Sequence, residues 1–149
     1  MTSWVVADSG ILLATVLPEP ISEQAKAIWR NWSEQNVQIA APTLLHYEFV
    51  AVMRKSVYRA TLTPQEGIEA RDFLLSQPVQ LFISANLLKR GYEFATQYAL
   101  PTAYDAQYLA VAEHLQCDFW TADQSLHNTL GASLNWVKWI GHYQPEGGN

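Results

Sequence analysis

The stretch Trp4-Val5-Val6-Ala7-Asp8-Ser9-Gly10 decides how the chain is read. Its apolar run has the length of a short buried strand, and it stops at an acid followed by a turn glycine. In an open parallel sheet, ligands bind beyond the carboxyl ends of the strands. Asp8, at the end of the first strand, is therefore a candidate for chemistry. Its structural alternative is a turn or cap role ahead of Ile11.

Outward from this strand the chain alternates. Ile11 to Val16 is a short apolar segment, helical or extended, punctuated by Pro18 and Pro20. Ile21, Ala25, Ile28 and Trp32 mark one face of an amphipathic helix, which Trp29 broadens. Val37 to Ala41 predicts a second strand closed by Pro42, and Thr43 is the expected N-cap of a helix over Leu44 to Tyr58. Its core stripe is Leu45, Phe49, Val52, Met53 and Ser56. Thr63-Pro64-Gln65-Glu66 starts another helix that ends near Ser76. Val79 to Ile83 is a strand, Leu87 to Tyr98 a helix, and Pro101-Thr102 opens a helix running to about Gln116. Phe119-Trp120-Thr121 and Trp136 to Ile140 complete about five strands, with a short helix from Asp123 between them. Strands alternating with helices imply an α/β fold with a parallel sheet covered on both faces and right-handed crossovers. Residues 1–143 form one domain, and the tail from Gln144 is expected to be disordered.

A chain of 149 residues buries about 68–70% of its unfolded surface as one domain. At 49% hydrophobic and 15% charged residues, it is an ordinary globular chain. The single cysteine, Cys117, cannot close an internal disulfide; it fits a reducing cytoplasm and reads as a small core residue. The amino end lacks the pattern of a cleaved signal peptide, and no apolar run reaches the roughly 18 residues of a membrane helix. A cytoplasmic protein without a membrane association is the expectation. The net charge of −5 argues against a general nucleic-acid coat, but setting aside four acids held in one metal site leaves −1. Bound divalent cations would make such a site compatible with a phosphate substrate.

The four acids are Asp8, Glu48, Asp105 and Asp123. Glu48 has Leu44, Leu45, Ala51 and Val52 as its helical neighbours, so no basic partner is in reach along the helix. A carboxylate among apolar neighbours is costly unless something pairs with it; the alternative is that it points to solvent. Asp105 follows Thr102 in a capping-box pattern, which could account for it without any function. The helix beyond it is apolar on nearly every side, which packs it on the sheet with its first turn at the sheet edge. Asp123 has an N-cap alternative for the helix from Gln124. All four acids fall near one carboxyl edge. Carboxylates held close repel one another unless some protonate or cations intervene. Hard ions such as Mg²⁺ and Mn²⁺ take oxygen ligands together with substrate phosphates. Two of them about 3.5–4 Å apart can serve phosphodiester hydrolysis.

At these residues the chain resembles the PIN domain family, and within it the VapC-like toxin ribonucleases of type II toxin–antitoxin modules. The resemblance runs through Asp8 after its strand, His46-Tyr47-Glu48-Phe49, Tyr104-Asp105-Ala106-Gln107-Tyr108-Leu109-Ala110 and Thr121-Ala122-Asp123, in order and across essentially the whole chain. It implies a three-layer α/β/α sandwich, Mg²⁺- or Mn²⁺-dependent RNA cleavage, a homodimer and an antitoxin partner. It also implies an acidic catalytic and metal site at Asp8, Glu48, Asp105 and Asp123, with Thr121 and Ser9 in support. Many members carry another acid two positions after the last one, where this chain has Ser125. The rival reading is a non-catalytic PIN-like module that binds protein or RNA partners.

Other chemistries find no motif. The chain has no P-loop, no GxGxxG, no GxSxG and no HExxH, and His46, His114, His127 and His142 form no close pair in sequence. An aspartyl-phosphate phosphatase is disfavoured because Gly10 stands two positions after Asp8, where an acid is needed. Arg54, Lys55 and Arg59 read as either phosphate contacts or a solvated helix end. Trp29 and Trp32 are candidates for a partner groove or self-interface, or for core.

Overall fold

β1 (Trp4–Ala7) forms the middle of a five-stranded parallel sheet. Its Val5, Val6 and Ala7 are all buried, which is what a run apolar on both faces produces in a sheet covered on both sides. The computed structural model describes residues 3–145, so residues 146–149 of the expected tail lie outside the described residues. The remaining elements are α1 (Ser9–Ala14), α2 (Ser22–Glu34), β2 (Gln38–Pro42), α3 (Leu44–Tyr58), α4 (Pro64–Leu75), β3 (Val79–Phe82), α5 (Ala85–Gln97), α6 (Tyr104–Leu115), β4 (Phe119–Thr121), α7 (Gln124–Leu130) and β5 (Val137–Trp139). A 3₁₀ turn at Ile140–His142 follows.

The strand order is β3-β2-β1-β4-β5. The chain winds from β1 outward through β2 to β3, then crosses back to place β4 on the other side of β1. The order therefore reverses between β1 and β4, the point at which a parallel α/β sheet opens a crevice at its carboxyl edge. Val6 pairs with Phe119 and Ala7 with Trp120, and the ladder runs one residue further, where the Asp8 amide donates to the Trp120 carbonyl at 3.1 Å. This register brings Asp8 beside Thr121.

The fold is the expected three-layer α/β/α arrangement. α6 lies across β1, β2 and β4, with α5 packed against it; its Ala106, Tyr108, Leu109, Ala110, Val111 and Ala112 are buried, as its all-round apolar sequence requires. α1 packs on α2 and α3, and α3 on α4. The helix α3 begins and ends where its periodicity predicts, with Leu45, Phe49 and Met53 buried and Val52 and Ser56 at the margin.

Several local expectations are revised. Thr43 adopts helical backbone angles and makes no side-chain cap bond, so it does not cap α3. Gly10 is the second residue of α1, not a turn; a Cβ there would stand 2.9 Å from the Ala122 Cβ, so its missing side chain lets α1 approach the loop after β4. α5 starts at Ala85, earlier than its apolar pattern, because the Ser84 hydroxyl accepts from the Leu87 amide. Trp32 is buried, and Trp29 packs edge-on against it while its indole N–H donates to the Gln77 side chain at 3.2 Å. Trp32 therefore belongs to the core, and Trp29 is partly buried against it. Cys117 is only partly buried, and burial, then the neighbouring Asp118 charge, pushes its thiol up to about 11.

Candidate active site

Asp8 occupies the switch point. It is 8% exposed and serves as N-cap of α1, with Oδ1 accepting from the Ile11 amide at 3.2 Å. Oδ2 accepts from the Thr121 hydroxyl at 2.5 Å, and the Ala122 amide reaches both oxygens at 3.2–3.3 Å. The two readings of Asp8, cap and site, are thus one position: the end of β1 delivers the carboxylate to the crevice, and the start of α1 uses part of it. Burial pushes the Asp8 carboxyl up to about 7; the hydrogen bonds from Thr121, Ile11 and Ala122 oppose the shift, and the Asp105 charge adds to it.

Thr121 ties the two strands' ends together. Fully buried, its hydroxyl donates to Asp8 and accepts the Asp123 amide at 3.0 Å. Asp123 caps α7, Oδ1 accepting from the Leu126 amide at 3.1 Å. Its N-cap reading therefore holds, and one carboxylate oxygen is free of that bond.

The other two acids come from helices. Glu48, half-buried in the first half of α3, accepts the Tyr108 hydroxyl at 2.5 Å and is also hydrogen-bonded by Ser9. Burial holds its carboxyl above the usual range, with the Asp105 charge adding to the shift. Among the described residues no cation pairs with it, as its helical neighbours predicted. In the sequence Tyr108 stands out only as part of the apolar α6 and of the motif around Asp105, with no role of its own. Its phenol bridges Glu48 and Ser9, and burial followed by the Glu48 charge pushes its pKa up. The available signal was its position one turn after Asp105, on the same side of the helix.

Asp105 departs from the capping-box reading. α6 starts at Tyr104, its N-cap is Ala103 with φ −99° and ψ 9°, and no side chain caps it. The carboxyl of Asp105 makes no hydrogen bond or ion pair among the described residues, and the residue is exposed. Desolvation by neighbouring protein atoms, then the Asp123 charge, raises its pKa. The same carboxylate raises Asp8 and Glu48, so each of the other three acids is electrostatically coupled to Asp105.

The donor chemistry suits a hard divalent cation: carboxylates that repel one another and pair with no Lys, Arg or His among the described residues. They do not form a ready-made cage, because among those residues no group of three or more His, Cys, Asp or Glu side chains could hold a metal ion. Mg²⁺ commonly uses one or two carboxylates, several waters and substrate phosphate, so a pre-assembled cage is not its usual requirement. Elsewhere, His127 and His142, distant in sequence, meet edge-on at 5.4 Å beside Trp139. Arg54, Lys55 and Arg59 are exposed at the far end of α3, with Arg54 over the Tyr58 ring at 5.9 Å, as a solvated helix end would be. Among the described residues no helix is long and apolar enough to cross a membrane.

Comparison with known proteins agrees with this fold. No curated protein sequence matches the chain. Among solved structures it is similar to VapC20 of Mycobacterium tuberculosis, described as a sarcin-ricin loop cleaving toxin, with a TM-score of 0.62 and 16% identity over 90% of this chain and 98% of that one. It is also similar to FitAcB from Neisseria gonorrhoeae, with a TM-score of 0.57 and 14% identity over 93% of this chain and 99% of that one. At such identities the likeness concerns the fold. The family model of the PIN domain matches residues 5–130, which run from β1 through α7 and include all four acids. The chain belongs to the PIN domain family.

Proposed function

We propose that the protein is a metal-dependent endoribonuclease and the toxin of a toxin–antitoxin module, acting in the cytoplasm as a homodimer and held by a cognate antitoxin. The observation that carries this reading is Asp105: an acid at a helix start, without a cap bond or a counter-ion among the described residues, and coupled to three further acids at the switch point. RNA as substrate rests on membership of the PIN domain family and on the likeness to VapC20, itself described as a sarcin-ricin loop cleaving toxin.

In this reading Asp8, Glu48, Asp105 and Asp123 hold Mg²⁺ or Mn²⁺, directly or through waters. A bound divalent ion supplies Lewis acidity toward the scissile phosphate and lowers the pKa of water. The chain's own residues set the positions. Thr121 and the Ala122 amide fix the Asp8 carboxylate, and Tyr108 with Ser9 fixes Glu48. Asp105 is left free to turn toward incoming charge.

The test is cleavage of a panel of structured and single-stranded RNAs with Mn²⁺, with Mg²⁺ and with EDTA, alongside Asp8→Asn. Metal-dependent cutting that disappears in the variant supports the nuclease. Cutting that survives it points to a different site or to contamination. The second reading, a non-catalytic binding module, is favoured by the cap roles of Asp8 and Asp123 and by the lack of a ready three-ligand group among the described residues. No cutting together with no Mn²⁺-dependent stabilisation would select it.

A further inference from the structure

At the carboxyl edge, just past the end of β2, a cleft of about 580 Å³ opens between the start of α3, α5 and the start of α6. Its size is that of a small-molecule site. Thr43, Tyr47, Leu88, Thr102, Tyr104 and Gln107 line it, and every residue of its lining is uncharged. Tyr47 directly precedes Glu48 and Tyr104 directly precedes Asp105, so two of the carboxylates are each adjacent in sequence to a tyrosine of the cleft. Both rings are open to solvent, Tyr47 at 75% and Tyr104 at 64% exposure. The Gln107 carboxamide lies against Gly91 and forms no side-chain hydrogen bond among the described residues.

A nucleotide has one anionic part and one flat, neutral, aromatic part. The carboxylates, with their cation, suit the first. An uncharged cleft rimmed by exposed phenol rings, with hydroxyls and a carboxamide for hydrogen bonding, suits the second. Every base offers a π-face, and only an unpaired base can present it to a side chain. We infer that this cleft is a base-binding subsite, in which Tyr47 and Tyr104 stack an unpaired base of single-stranded RNA next to the phosphate handled by the acids. The inference rests on the nuclease reading for the phosphate, but the stacking itself is measurable without cleavage.

The probe is a short single-stranded oligoribonucleotide carrying one 2-aminopurine, whose fluorescence is quenched on stacking. It is titrated into the full-length chain in EDTA, and into Tyr47→Ala, Tyr104→Ala and the double Phe variant. Cleavage of an unlabelled oligonucleotide with Mn²⁺ is followed in parallel, with thermal melting and sedimentation as controls. The expected result is quenching by the wild-type chain, about tenfold weaker binding for each Ala variant, and binding within about twofold for the Phe variant, which keeps the rings. Wild-type chain that does not quench the probe, or Ala variants that bind as it does, overturns the subsite. So does loss of binding that accompanies dissociation of a dimer, which would make these tyrosines a self-interface. Cleavage that persists while the Ala variants bind normally sinks the subsite and leaves the nuclease. Tyrosine-dependent quenching with neither Mn²⁺-dependent cleavage nor Mn²⁺-dependent stabilisation in the melting control sinks the nuclease and leaves the subsite.

Discussion

Two helix starts in this chain share the pattern threonine, two residues, acid. At Thr63-Pro64-Gln65-Glu66 the pattern closes: the Thr63 hydroxyl accepts the Glu66 amide at 3.1 Å, and the Glu66 carboxylate takes the Thr63 amide at 2.8 Å. At Thr102-Ala103-Tyr104-Asp105 it does not, and the helix starts a residue later than the pattern would place it. The reciprocal box needs Glu or Gln at the third helical position, whose side chain reaches back to the cap. Asp is one methylene shorter and here occupies the second position. Pro64 also presets the backbone of the first helical residue, whereas Pro101 lies outside its helix. The difference separates an acid occupied by the fold from one the fold leaves free.

Asp8 tests the distinction hardest, because it is both a cap and a candidate ligand. Its pKa in the folded chain, about 7, lies above the ordinary 3.8, so the protonated form favours the fold. That contribution is complete below about pH 4 and is lost as pH rises through 7, up to about 4 kcal/mol in all. Metal-free denaturation curves should show stability falling across this interval, with the fall much reduced in Asp8→Asn. Above pH 7 the variant should be the more stable protein, and saturating Mn²⁺ should stabilise only the wild type, by about 2.7 kcal/mol at a hundred times Kd. Wild-type stability that rises from pH 4 to 7, with Asp8→Asn destabilised throughout, would make Asp8 a cap and nothing more.

For Asp105 the expectation inverts. Asp105→Asn should lower metal-dependent cleavage by at least about 100-fold, as loss of a group acting on transition-state charge does. The melting curve should barely move, within about 0.5 kcal/mol, because the carboxyl holds no hydrogen bond or ion pair among the described residues. A marked loss of stability would restore the cap reading that the helix start argues against.

The packing beneath the site can be probed at two glycines. Gly10→Ala sets a Cβ 2.9 Å from the Ala122 Cβ, which cannot swing away, so we expect a loss of about 1–3 kcal/mol and weaker cleavage as Asp8 shifts from Thr121. At Gly91 the added Cβ meets the end of the flexible Gln107 side chain, which can. Gly91→Ala should be near neutral in chemical denaturation, helped by the helix preference for Ala.

How much of this was legible depended on whether the signal was local. The bounds of α3, the Thr63 box and the strand Phe119–Thr121 follow from neighbouring residues and were readable. The five-stranded parallel sheet followed from alternation, but the place of β4 beside β1, which brings Thr121 to Asp8, is a tertiary fact. Glu48 could be singled out by what its helix lacked; that Tyr108 would answer it across 60 residues could not. Gly10 looked like a turn residue because the reason for it, Ala122, is remote in sequence. The early start of α5 was hidden because Ser84 supplies a cap ahead of the first apolar residue. The capping-box alternative for Asp105 failed on a matter of one methylene and one residue of helix register.

The smallest effect brings the two threonines themselves into direct comparison. Thr63→Ala removes a hydroxyl that accepts a helix amide, and should cost about 1 kcal/mol in denaturant unfolding, with cleavage unchanged. Thr102→Ala removes a hydroxyl that caps nothing on an exposed residue, and should fall within about 0.5 kcal/mol of the wild type. Equal losses at both positions would mean that the Thr102 box forms in solution. Asp105 would then be held at the helix start like Glu66, and the argument that it is free to meet a cation would lose its footing. Unequal losses, with Thr63 the larger, leave one pattern in the sequence serving two purposes, told apart by the reach of a side chain.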